Sequence, residues 1–231
     1  MSVILALVSA RDAIVASDGR EFDSAYWENG QLVRKAQVSR DDFDKTFMLF
    51  GGKVVGAFAS LTEFGGKTVG EHIVEISGKH GSELGSLADV GMAVKKELIA
   101  RLSFVSPNEV LPDHRKVDLL FAGGAQLTRR DFQIARLPFA PNPGGTGVLC
   151  QEDMVPHRRE DTMRYAVFGD GKASTEGSRL LERNQSREMD RQFMLDLATR
   201  TIKAGISACG IHPQGDAPSC GGKVFWRQSW Y

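Results

Sequence analysis

Cysteine is scarce in this chain: three residues, Cys150, Cys209 and Cys220, with no Cys-x-x-Cys pair among them. An odd, scattered set argues against a disulfide framework and fits reduced core thiols. The five histidines, His72, His80, His114, His157 and His212, have no metal-ligand spacing either, so neither a metal nor a cofactor is expected. An excess of one charge is also missing. Lys plus Arg number 29 and so do Asp plus Glu, which leaves no overall basic field to draw nucleic acid or an anionic membrane. Long apolar runs are absent as well. The N-terminal one is short, lacks a basic leader and is broken by Arg11 and Asp12, so it reads as neither a secretory signal nor a spanning helix, and the cytoplasm is the expected compartment. No repeat, linker or low-complexity stretch divides the chain, and an apolar fraction of 42% argues against disorder, so one domain over residues 1–231 is predicted.

What is present begins at once. Val3 to Val8 and Ala13 to Ala16 read as two strands around the polar turn Ser9-Ala10-Arg11-Asp12. Removal of Met1 would leave Ser2 at the head of the first strand with a free amine beside its hydroxyl, the combination that N-terminal nucleophile chemistry uses. Residues 19–44 are polar and irregular, with a short strand predicted at Leu32 to Val38. A second hairpin runs from Lys45 to Phe50 and Lys53 to Ser60 around Gly51-Gly52, a pair suited to positive φ. Thr68 with Glu71, and Ser86 with Asp89, have capping-box spacing and open two helices. The second of these carries an apolar stripe at Leu87, Val90, Val94, Leu98 and Leu102. Strands are predicted at Val117 to Gly123, Asp131 to Leu137, Gly147 to Gln151 and Tyr165 to Phe168. Helices follow near Ala173 to Glu182 and Arg187 to Ala208, and a last strand spans Lys223 to Trp230. Phe64-Gly65-Gly66-Lys67-Thr68 has the setting of a phosphate-binding loop. Position 61 is Leu where such a loop needs Gly, and no acidic residue ends the strand Leu119 to Ala122, so the segment reads as a helix-entry turn.

Four separated segments, in order, resemble proteasome β-type subunits. Ser2-Val-Ile-Leu-Ala-Leu through Asp18-Gly19-Arg20 is similar to the family's opening strands, and Asp18 follows Ser2 by 16 steps, the family's separation between nucleophile and aspartate. Lys45 with Val54 to Thr62 resembles its lysine-led strand and the strand after it. Tyr165 to Gly171 is similar to its Gly-Ser-Gly turn, and Asp216-Ala217-Pro218-Ser219-Cys220-Gly221 to its Asp-Ala-x-Ser-Gly-Gly segment. The resemblance implies an α+β fold, a four-layer α-β-β-α sandwich, which agrees with strands followed by helix pairs. It also implies an amide-bond hydrolase, a homo-oligomer acting on peptide or protein; no unfoldase ATPase partner can be named from the sequence.

By that resemblance Ser2 is the nucleophile and its α-amine, with a reference pKa of about 7.7–8.0, the base. Lys45 lowers the pKa of the Ser2 amine or hydroxyl, by like-charge repulsion or by favouring the anion respectively, and Asp18 holds Lys45 charged and oriented. Asp216 and Ser219 hydrogen-bond around the amine, the backbone N–H of Ala59 or Ser60 faces the oxyanion, and Arg20 and Asp170 flank the site. Three departures stand out. Ser2 replaces Thr, Ser60 replaces Gly, and Asp170 replaces Ser, bringing a negative charge expected to raise the amine's pKa. The Asp18 to Lys45 interval is 27 steps where the family commonly has 16, an excursion of about eleven residues beside the site, of a kind that can shape access. Hydrolysis of a small amide, and a non-catalytic role like that of proteasome α-type subunits, stay open as alternatives.

Overall fold

A computed structural model describes residues 2–23, 25–28, 31–81, 84–105, 115–128, 131–143, 147–156, 163–185 and 190–229. β1 (Val3–Val8) and β2 (Ala13–Asp18) form the predicted hairpin, closed by Ser9 N–H donating to the Asp12 carbonyl at 2.9 Å. The excursion that follows is itself folded. β3 (Glu21–Asp23) pairs with β6 (Gln37–Arg40), and between them β4 (Tyr26–Glu28) pairs with β5 (Gln31–Arg34). The single strand expected at 32–38 is therefore two short ones, interrupted at Lys35 and Ala36.

β7 (Thr46–Leu49) and β8 (Val54–Ser60) form the second hairpin, whose turn holds Gly51 and Gly52 at φ of 65° and 92°, the conformation that asked for glycine. A small hairpin, β9 (Glu63–Phe64) and β10 (Lys67–Thr68), leads into α1 (Val69–His80), so the glycine-lysine-threonine segment is a helix entry. α2 (Leu87–Phe104) follows. Both helices begin with the predicted capping boxes, and in α2 Ser86 Oγ accepts from Asp89 N–H at 3.1 Å while Asp89 Oδ2 accepts from Ser86 N–H at 2.9 Å.

The second half supplies β11 (Val117–Gly124), β12 (Phe132–Pro141), β13 (Val148–Cys150), β14 (Asp153–Pro156) and β15 (Arg164–Gly169). It then gives α3 (Gly171–Glu182), α4 (Arg191–Ala208) and β16 (Val224–Gln228). The expected strand at 147–151 is thus shorter and is followed by an unforeseen one, β14. Residues 187–189 of the expected last helix, Trp230 of the expected last strand, and residues 106–114 lie outside the described residues.

Besides the small two-stranded pairs, the described residues form two larger antiparallel sheets, ordered β15-β1-β2-β16 and β13-β12-β11-β8-β7, with β14 also pairing to β12. Strand alternation assigns the layers. Ile4, Ala6, Val8, Ala13 and Val15 face Val55, Ala57, Leu120, Ala122 and Ile134 between the sheets. Val3, Leu5, Leu7 and Ile14 face the other way, onto Ala173, Leu197 and Ile202 of α3 and α4. The α2 stripe and Val69, Ile73 and Ile76 of α1 cover Phe58, Leu119, Phe121 and Leu137 on the second sheet. This is the expected α-β-β-α order. It also explains why β1 is a continuous apolar run: both of its faces are covered, and all six residues are fully buried. Among the described residues no helix is long and apolar enough to cross a membrane, and no group of His, Cys, Asp and Glu could hold a metal ion. All three cysteines are free thiols, and burial pushes the Cys150 thiol up to about 11.

Candidate active site

Four strand ends converge at one end of the sandwich. β1 begins just after Ser2, β2 ends at Asp18, β7 begins just after Lys45 and β15 ends at Gly169. Asp18 is fully buried, and its carboxylate is saturated by backbone donors: Oδ1 accepts from Val3 N–H at 3.0 Å, and Oδ2 from Gly221 N–H at 3.0 Å and Arg20 N–H at 3.4 Å. Lys45 is fully buried as well. Its ammonium donates to Ser2 Oγ at 2.7 Å, to Asp18 Oδ1 at 3.2 Å and to the Arg20 carbonyl. Three residues far apart in sequence are thereby joined in one hydrogen-bonded group, with a cation directly on the Ser2 hydroxyl. Chemically, that group can stabilise an alkoxide on Ser2.

Other predicted residues are placed differently. Asp216, expected around the Ser2 amine, lies on the surface, where both carboxylate oxygens accept from Lys35 at 2.7 and 3.0 Å. The partner comes from the 21–40 hairpin, which gives Asp216 a counter-ion outside the site. Ser219 is fully buried two residues before Gly221, and its hydroxyl has no hydrogen-bond partner among the described residues. Asp170 is buried, but its carboxylate caps α3, accepting from the N–H groups of Lys172 and Ala173 at 3.1 and 3.3 Å. Helix capping, which favours an anion at the positive end of the helix, engages that carboxylate. Its backbone does serve the site, since Asp170 N–H donates to the Ser2 carbonyl at 3.0 Å.

Arg20 is a clamp. Its guanidinium makes a two-pronged pair with Asp41 at 2.6 and 2.9 Å and donates to the carbonyls of Pro218 and Cys220 at 3.2 and 3.5 Å, fastening the 218–221 segment beside Asp18. A Cβ at Gly221 would collide with that guanidinium, which accounts for the glycine. The same pair raises the pKa of Arg20 and lowers that of Asp41 below the ordinary 3.8. Because the folded value is depressed, Asp41 stabilises the fold above the unfolded carboxylate pKa, and the contribution is lost as pH falls through the lowered value. Asp41→Asn is therefore expected to lower stability at neutral pH, modestly because the carboxylate is half exposed, and to converge on the wild type as pH falls through the lowered value; urea unfolding across an acid-to-neutral pH series measures this.

At the other side, Ala59 is buried in β8 and pairs with Asp118 of β11, while Ser60 ends the strand at φ 76°, a left-handed conformation rare outside glycine. Ser60 Oγ donates to Asp118 Oδ2 at 2.9 Å, so a buried carboxylate pins the residue in the conformation for which the resembled family has Gly. Sequence reading missed Asp118, and also Asp41. The Ser at a glycine-like position was the available signal that a pinning partner must exist. Ser2 and Ser60 line a cleft of about 360 Å³ whose other wall is β3 and residues 212–214.

No family model and no curated protein sequence matches this chain. Among solved structures the fold is similar to that of Anbu (ancestral beta-subunit) from Yersinia bercovieri, with a TM-score of 0.57 and 14% identity over 98% of this chain and 81% of that one. At that identity the likeness establishes architecture alone: the chain has a proteasome-like fold.

Proposed function

We propose that, once the Met1–Ser2 bond is cut, this chain is an amide-bond hydrolase of the proteasome β kind with Ser2 as nucleophile. The observation that carries the reading is the fully buried Lys45 ammonium 2.7 Å from Ser2 Oγ and 3.2 Å from Asp18. A structural lysine has no need to end on a hydroxyl just ahead of a strand. Ser2 Oγ attacks the amide carbon as its proton passes to the freed α-amine. The C–O bond forms, the C–N bond breaks, and the amine returns the proton to the leaving nitrogen. Water then attacks the acyl ester by the same route and releases the acid. Lys45 stabilises the alkoxide, and the Ser219 hydroxyl, unpartnered among the described residues, is the acceptor for the α-amine. Asp216 has no part in this scheme. The substrate is a peptide, and copies of the chain assemble into a closed homo-oligomer.

The experiment pairs intact-mass measurement of the N-terminus with hydrolysis of short fluorogenic peptides. The mass is expected to lack Met1, and Ser2→Ala is expected to reduce kcat/KM by about a thousandfold or more. A retained Met1, or unchanged hydrolysis in Ser2→Ala, overturns the reading. Asp216 at the surface favours a second one, a non-catalytic subunit, for which no peptide is cleaved by either protein.

A further inference from the structure

Two of the three thiols take no part in the chemistry above, and the fold brings them face to face. Past α4 the backbone doubles back as a narrow antiparallel ladder. Ser219 N–H donates to the Gly210 carbonyl at 2.8 Å, His212 N–H donates to the Ala217 carbonyl at 2.9 Å, and Ile211 bridges Pro218 between them. Two steps from that bridge along each side, Cys209 stands opposite Cys220 on the same face. Because the bonded pairs are Gly210 with Ser219 and His212 with Ala217, the cysteines hold a non-hydrogen-bonded position, where Cα atoms lie about 4.5 Å apart and side chains are closest. A disulfide spans about 4.4–6.8 Å between Cα atoms, so this pair is within its reach. The sulfur is already at the partner residue: Cys220 N–H donates to Cys209 Sγ at 2.9 Å.

Access separates the two thiols. Cys209 is half-buried at the extended residue that ends α4, whereas Cys220 is buried at 1% exposure. Burial, and then its hydrogen bond to Cys209, push the Cys220 thiol well above the ordinary thiol value, so a soluble oxidant meets Cys209 first. The neighbours of Cys220 belong to the site. Ser219 on one side is fully buried, and Gly221 on the other donates to Asp18 Oδ2 at 3.0 Å and accepts from Gly19 N–H at 3.1 Å. In the reduced protein Arg20 fastens this segment through the carbonyls of Pro218 and Cys220.

We propose that Cys209 and Cys220 form a reversible disulfide, with hydrogen peroxide as oxidant, that staples the segment beside Asp18 to the end of α4. The Cys209 thiolate attacks one peroxide oxygen, the O–O bond breaks, and Cys209 becomes a sulfenic acid while the departing hydroxide takes the proton that its thiol had shed. Cys220 Sγ then attacks the Cys209 sulfur, the S–O bond breaks, and the Cys220 proton leaves with that oxygen as water. Each sulfur gives up one electron, and the peroxide, reduced to water, takes both. The loop so closed is about a dozen residues long, and such a cross-link stabilises chiefly by restricting the unfolded chain. Neither Met1 removal nor turnover enters the proposal, so it stands or falls apart from the hydrolase reading.

Reduced full-length protein is treated with hydrogen peroxide, unfolded in urea, alkylated with iodoacetamide and digested with trypsin. Cys209 and Cys220 share one tryptic peptide, residues 204–223. That peptide is expected to be unalkylated and lighter by the two thiol hydrogens, and to take up two alkyl groups once dithiothreitol precedes alkylation. Cys150, on β13 in the other sheet, is expected to be alkylated throughout. Oxidation is also expected to raise the melting temperature by about 5 °C or more. Cys209→Ser should abolish both changes, and should that variant fold poorly, Cys220→Ala is expected to abolish them as well. A peptide that stays fully alkylated, one that gains oxygen on Cys209 while Cys220 is alkylated, or a disulfide that leaves the melting temperature unchanged overturns the proposal.

Discussion

Lys45→Met is expected to cost about 3 kcal/mol of folding stability and to reduce peptide hydrolysis by about a thousandfold or more. The stability loss comes from what is left behind. Asp18, with no exposed surface, would lose its counter-ion, and removing one partner of a buried pair costs about 3–5 kcal/mol. The three backbone N–H groups of Val3, Arg20 and Gly221 remain on the carboxylate, which places the cost at the lower end of that range. Asp18→Asn tests the same coupling from the other side. The double variant is expected to be more stable than the two single losses add up to, by about 1–3 kcal/mol, because neither charge is then left alone. Activity separates function from folding. Urea unfolding of Lys45→Met gives the first quantity and initial rates on a fluorogenic peptide the second. A variant that unfolds like the wild type and cleaves like it would show that the ammonium does not act on the Ser2 hydroxyl.

The parts of this architecture legible in the sequence are those whose signals are local. Ser86 and Asp89 sit three residues apart and the α2 stripe repeats at three and four, so cap, face and length of that helix follow from a window of eighteen residues. Ser2, Asp18 and Lys45 were legible for another reason: each lies at a strand end, and their order along the chain matches a known pattern. The hairpin of residues 21–40 was not. Its β5 and β6 strands are exposed on both faces, so no alternation marks them, and register shifts at Glu21/Phe22 and Tyr26/Trp27 break what pattern there is. Asp216 was misplaced because its partner, Lys35, is 181 residues away and belongs to that same unpatterned hairpin. Asp170 carries a second local signal: a helix-capping Asp before Gly171 was readable from neighbouring residues, while its place beside Ser2 came only from the resemblance.

Gly169→Ala is expected to be as damaging as the loss of Lys45, through the backbone alone. Gly169 sits at φ 135°, where side chains other than hydrogen are not tolerated, and a Cβ there would be driven onto the Ser2 carbonyl oxygen and to 2.8 Å from Val3 Cα. Neither neighbour can give way cheaply. Val3 is paired with Gly169 across the β1–β15 ladder, and the Ser2 carbonyl accepts from Asp170 N–H at 3.0 Å, so relief requires opening the strand end that carries the nucleophile. Strain and lost pairing together should cost about 3 kcal/mol or more. Whatever fold survives would hold Ser2 displaced from Lys45, and a shift of about 1 Å between reacting groups is worth about a hundredfold in rate. Gly171→Ala supplies the control two residues on. A Cβ there meets nothing within 4 Å, φ is ordinary, and the position opens α3, so stability should be unchanged or rise by up to about 1 kcal/mol with hydrolysis intact. If the two variants melt alike, the end of β15 does not grip Ser2, and the geometry that puts its hydroxyl on Lys45 has lost its support.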